Sequence, residues 1–132
     1  MNIYAEEIIS HYEHPHNKGK IDRAGASFHE YNPTCGDDIT VYMSLKGGKV
    51  SEAKFDGNGC AISIAAASML TDEIKGKGLE EVERMGVREL VGLMGIDPGP
   101  ARLKCATLPL KAIKKALFLY QHKEVDDSTK DL

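Results

Sequence analysis

A chain of 132 residues, 42% hydrophobic, is long enough to bury one core without covalent staples, and three widely spaced cysteines make a poor disulfide framework. A net charge of −3, with aromatics at 6% and no tryptophan, supplies neither the basic footprint nor the stacking platforms that nucleic-acid binding needs. The longest apolar stretch, Ala61 to Leu70, is interrupted by Ser63 and Ser68 and is too short for a bilayer; with no leader pattern before the first helix, the expected setting is reducing and cytoplasmic, with no membrane partner.

Tyr4, Ile8 and Tyr12 recur at helical spacing, with Glu6 and Glu7 alongside, and predict a short amphipathic helix that stops before Pro15. A weak strand pattern follows at Ser27 to Tyr31. From Asp38 the alternation is clear: Ile39, Val41, Met43 and Leu45 interleave with Thr40, Tyr42 and Ser44, as in a strand with one buried face. Gly47-Gly48 allows the positive backbone angles of a tight hairpin, and Val50 to Phe55 reads as the returning strand.

After Cys60 the pattern turns helical. Ala61 to about Lys75 is one helix, ended by Gly76 and Gly78; a shorter one starts at Leu79; Val87, Leu90, Val91 and Met94 keep helical spacing until Asp97-Pro98-Gly99-Pro100. The last helix carries Leu110, Ile113, Leu117 and Tyr120 on one face, with Lys111, Lys114 and Lys115 expected on a solvated side. The fold expected is α+β, a small three-stranded antiparallel sheet with helices on one face, in a single domain over 1–122 followed by a polar tail over 123–132.

Cys35, Cys60 and Cys105 are 25 and 45 residues apart, each beside glycine, proline or an element boundary rather than inside an apolar run. Cys35 is expected in the turn into the first clear strand, Cys60 at the mouth of a helix, and Cys105 in the loop leading into the last helix. Helix N-termini favour thiolate over thiol, so the shared chemistry is that of soft metal or sulfur binding. Asp37, in the same turn as Cys35, can present a carboxylate oxygen. Three soft sulfurs and one hard oxygen form a mixed ligand set from which metal can leave.

These residues resemble the iron–sulfur cluster assembly scaffolds of the IscU, SufU and NifU N-terminal type. The resemblance rests on Tyr4, His11-Tyr12-Glu13, Pro15, Asn17 and Gly19, on Asn32-Pro33-Thr34-Cys35-Gly36-Asp37, on Gly59-Cys60-Ala61-Ile62-Ser63, and on Cys105 at the third cysteine position. It implies a scaffold, not an enzyme, for a transient [2Fe–2S] cluster built from iron and sulfur from a cysteine desulfurase, then passed to acceptor apoproteins. Cys35, Cys60 and Cys105 carry over as ligands. Asp37 carries over as the residue associated with lability and as a candidate fourth ligand, and Cys105 as the persulfide acceptor, which requires a mobile loop.

Two departures stand out. Lys104 precedes the third cysteine where IscU-type scaffolds have a metal-ligating histidine; its ammonium cannot ligate but can favour the neighbouring thiolate. The string Lys104-Cys105-Ala106-Thr107-Leu108-Pro109 resembles the SufU branch, which gives the alternative of a zinc-dependent sulfurtransferase that accepts persulfide. The 45-residue spacing leaves little room for the insertion typical of SufU. Upstream, Gly99-Pro100-Ala101-Arg102-Leu103-Lys104 lacks the Leu-Pro-Pro-Val-Lys motif read by an Hsp70-type chaperone, which argues against that partner. Three cysteines without an adjacent histidine leave room for a second subunit, a homodimer in the cluster-bound form, to shield or complete the site.

Plainer roles exist for several of these residues: Asp37 as a turn residue, Lys104 as a surface charge, Met85 and Met94 as core filler. His11, His14 and His16 resemble a metal tract but fall in the first helix and its exit. A third class of function, a structural zinc module, would make the metal necessary for folding.

Overall fold

The structure is a computed structural model that describes residues 3–33 and 36–121. The chain runs α1 (Ile3–Glu13), β1 (Ala26–Tyr31), β2 (Asp38–Lys46), β3 (Lys49–Asn58), α2 (Ala61–Ile74), α3 (Leu79–Arg84), α4 (Val87–Met94) and α5 (Gly99–Tyr120). The strands form one antiparallel sheet in the order β1-β2-β3. The α+β reading therefore holds, with the sheet and its helices as expected. The tail at 123–132 lies outside the described residues.

Alternation in β2 does what its pattern predicts: Ile39, Val41 and Met43 are buried, while Thr40, Tyr42 and Ser44 are half-buried. Gly47 and Gly48, at φ 60° and 75°, turn the chain back. In β3, Val50, Ala53 and Phe55 are all buried, a spacing that strict alternation forbids. A bulge supplies the missing step, because Ser44 pairs with Glu52 and Leu45 with Val50, leaving Ser51 unopposed. The Ser51 hydroxyl donates to the Ser44 carbonyl at 3.0 Å across the irregularity.

Helices α2 and α5 pack against one another; α5 crosses β1 and β2, while α2 lies against β3. Small residues permit the close approach of α2: Ala65, Ala66 and Ala67 are fully buried, as are Ser63 and Ser68. Ser68 Oγ accepts from the His16 N–H at 2.8 Å and shares a 2.6 Å hydrogen bond with His11 Nδ1. His16 Nδ1 meets Asp72 Oδ2 at 2.6 Å, and Asn17 Nδ2 donates to Asp72 Oδ1 at 2.8 Å. His11 and His16 thus fasten α1 and its exit to α2. Met85 and Met94 are core, as read.

The lysine face of α5 differs from expectation. Lys114 is buried, and Lys111 and Lys115, one turn apart, reach the buried carboxylate of Glu30 on β1. Lys115 Nζ stands 2.8 Å from Oε2, an ion contact without directed hydrogen-bond geometry, and Lys111 Nζ is 4.0 Å from Oε1. These stems cover the sheet edge, with the Lys115 ammonium 5.3 Å from the Phe28 ring centroid. Sequence periodicity missed this because Glu30 is a lone acidic residue in a weak strand.

The start of α5 also differs. The helix begins at Gly99, with Pro100 in its first turn, and continues through Pro109, so Cys105 lies within it rather than in a preceding loop. Proline in a helix interior removes one hydrogen bond: the N–H that would have reached the Cys105 carbonyl does not exist. Burial of Leu108, Pro109 and Leu110 in the core outweighs that loss.

Candidate metal centre

The site is built where β2, the β3–α2 turn and the start of α5 meet. Asp37 immediately precedes β2 and is 6% exposed, its backbone carbonyl accepting from the Asn32 N–H at 2.8 Å. Cys60 is the N-cap of α2 and is half-buried, with no side-chain cap hydrogen bond. A thiol in place of the usual Ser, Thr or Asp leaves the first amides of the helix without that cap, so the positive end of α2 faces whatever the sulfur holds. Cys105 comes from the second turn of α5 and is 7% exposed.

One ligand atom from each of Asp37, Cys60 and Cys105 lies within 4.8 Å of the others. Neither Cys60 nor Cys105 is in a disulfide. Among the described residues Asp37 Oδ2 is buried with no hydrogen-bond partner, a costly state for a carboxylate oxygen unless a ligand completes it. Two sulfurs and an orphaned oxygen at this spacing fit a thiophilic metal ion or an iron–sulfur group.

Two glycines make the convergence feasible. At Gly57, φ is 130° and a Cβ would stand 2.2 Å from the Asp38 carbonyl oxygen, so only glycine lets the β3 backbone close on β2 beneath the site. At Gly59 a Cβ would meet Ser63 Oγ at 2.1 Å and Asp37 Cγ at 3.5 Å. The motif Gly57-Asn58-Gly59-Cys60 is therefore shaped by steric exclusion as well as by turn geometry.

Of the residues singled out from sequence, Asp37, Cys60 and Cys105 are brought together. Cys35 lies outside the described residues. Lys104 is exposed beside buried Cys105, as adjacent helical positions diverge. Ser63 was given no role of its own, only a place in the second cysteine motif and an interruption of the apolar run, although its spacing of three from a helix-capping cysteine was a usable signal.

Fold and site together define a small α+β protein that gathers two thiols and a carboxylate where its sheet meets two helices. Residues 3–127 match the NifU-like N terminal domain, and the chain belongs to that family. It is 39% identical to the zinc-dependent sulfurtransferase SufU of Bacillus subtilis, over 87% of this chain and 89% of that one. It is 34% identical to the iron–sulfur cluster assembly scaffold protein IscU 1 of Archaeoglobus fulgidus, over 92% and 78%. Among solved structures, a candidate SUF-system scaffold from Fervidobacterium islandicum AW-1 superposes with a TM-score of 0.74 at 30% identity, covering 87% of this chain and 96% of the other. A NifU-like N-terminal protein from Brucella abortus shares the fold at TM-score 0.75 and 19% identity, covering 92% and 96%.

No helix among the described residues is long and apolar enough to cross a membrane.

Proposed function

We propose that this chain is a scaffold on which a transient [2Fe–2S] cluster is assembled from iron and desulfurase-derived sulfur, then transferred to acceptor apoproteins. The observation that carries the reading is the convergence of Asp37, Cys60 and Cys105, with an Asp37 oxygen that has no partner among the described residues. Cys35, two residues before Asp37, is the natural third sulfur. Thiolates hold iron firmly, whereas a carboxylate is a harder and weaker partner, so an Asp37-ligated cargo is one that can leave.

Cys105 is the proposed sulfur acceptor. Its thiolate attacks the terminal sulfur of a desulfurase persulfide, a new S–S bond forms on Cys105, and the desulfurase thiolate departs with the electron pair of the broken S–S bond. Converting that sulfane sulfur to cluster sulfide takes two electrons from a separate reductant. Cys105 is 7% exposed, so delivery requires the first turns of α5 to shift; the hydrogen bond that Pro109 cannot make lowers the cost of that motion.

Anaerobic incubation with ferrous iron, cysteine, a cysteine desulfurase and dithiothreitol as the reductant tests the reading. The expected product is a coloured protein holding iron and acid-labile sulfide in equal amounts, which loses both to an apoferredoxin. Recovery of zinc alone, with no sulfide, would overturn it. The second reading, a zinc-dependent persulfide acceptor, is favoured by the 39% identity to SufU and by the Lys104 to Pro109 string. It predicts zinc-dependent stimulation of the desulfurase without cluster formation.

A further inference from the structure

Ser63, fully buried in the first turn of α2, has no part in the chemistry described so far. Its hydroxyl donates to the Cys60 carbonyl at 3.1 Å, and its oxygen accepts from the Cys60 thiol at 3.7 Å. The carbonyl does not depend on that hydroxyl, because the Ile64 N–H also donates to it at 3.1 Å. The Gly59 backbone is pressed so closely against Ser63 Oγ that any side chain there would collide with it. The hydroxyl therefore occupies a fixed place beside the sulfur, with a spare proton to redirect.

We propose that Ser63 is a positioning residue for the Cys60 sulfur, turning its hydroxyl from the Cys60 carbonyl to donate to the sulfur once the thiol has lost its proton to bind metal. The inference rests on the metal-site reading above. The thiol proton leaves to solvent, Ser63 keeps its own proton, and the Cys60 carbonyl keeps the Ile64 N–H. A hydroxyl rotor makes this exchange without moving a heavy atom far. Donation to a metal-bound thiolate withdraws charge from the sulfur, steadies it as a ligand and raises the reduction potential of iron bound there.

Titration of Co2+ and Zn2+ into the reduced wild-type protein, Ser63→Ala and Ser63→Thr tests the proposal. Wild type is expected to show sulfur-to-cobalt charge-transfer absorption. In Ser63→Ala the band should move to longer wavelength, because a sulfur without its donor gives up electrons more readily, and Zn2+ affinity should fall about tenfold. Threonine, which keeps the hydroxyl, should restore the wavelength. Alanine suits a helix interior, and thermal unfolding of the apo variant checks its fold. Wild-type wavelength and affinity in Ser63→Ala would overturn the proposal while leaving the metal site standing. Absence of thiolate-to-cobalt absorption in wild type would overturn the metal-site reading, and this inference with it.

Discussion

Replacing Asp37 by alanine should make the apoprotein more stable and the loaded protein slower to unload. Asp37 is 6% exposed, and its Oδ2 has no hydrogen-bond partner among the described residues. A buried unsatisfied polar atom costs about 1–3 kcal/mol. Alanine removes that penalty and keeps the Cβ, at the cost of the contacts of one small carboxyl group. The net gain should be about 1–2 kcal/mol, or a melting temperature about 3–8 °C higher for a domain of this size. The assay is thermal unfolding with a chelator and reductant present, followed by circular dichroism, on wild type and Asp37→Ala in parallel. Transfer of a reconstituted cluster to an apoferredoxin supplies the second measurement, where the variant should be slower because the weak oxygen partner is gone. An apo variant less stable than wild type would refute the reasoning, since it would mean that the carboxylate supports the fold rather than awaiting a ligand.

Three further outcomes follow from the described contacts. Gly59→Ala should displace the Ser63 hydroxyl, while Asp37 Cγ at 3.5 Å is in ordinary contact, and should weaken Zn2+ binding by about tenfold, with a smaller effect on chelated-protein stability; unchanged affinity in a competition titration would contradict the 2.1 Å approach to Ser63 Oγ. Glu30→Gln removes the charge between Lys111 and Lys115 and should cost about 1–3 kcal/mol in urea unfolding, because two partly buried lysines lose their anionic partner. Acid should loosen α1: burial and the neighbouring His16 hold His11 below its ordinary 6.5, against the opposing pull of Asp72 and Glu7. A base with a depressed folded-state pKa is protonated more readily when unfolded, so its contribution is whole above pH 6.5 and is lost as pH falls through the folded value. Urea unfolding at pH 7.5 and 5.5 should show the loss, and His11→Gln should shrink it.

What was legible in the sequence was local. The β2 alternation, the Gly47-Gly48 turn and the helix starts at Ala61, Leu79 and Val87 each depend on neighbours within a few residues, and each is present. Asp37, Cys60 and Cys105 were legible because residue types with one chemistry recurred at element boundaries. The misses have a common cause in tertiary packing. Pro109 is a strong stop signal in isolation, but burial among Leu108 and Leu110 carries the helix past it. The lysines of α5 look solvated until Glu30 is brought opposite them from a strand eighty residues away. The β3 bulge leaves no mark in composition, since Ser51 is an ordinary strand-edge residue whose extra step is visible only against β2.

Glu30 has a consequence for how the chain chooses its pairing. β1 is a six-residue edge strand whose buried hydrophobic content is slight, with Ala26 in the core and Phe28 partly covered. Apolar content alone would discriminate poorly between the observed register, Glu30 opposite Ile39, and one slipped by a residue. A slip by one position would turn Glu30 to the outer face and put His29 or Tyr31 under two lysines. The misaligned strand would then leave two half-covered cations without an anion. The triad of Glu30, Lys111 and Lys115 therefore disfavours a slipped register, and because Asp37 follows β1 and pairs its carbonyl with the Asn32 N–H, such a slip would also shift Asp37 relative to Cys60 and Cys105.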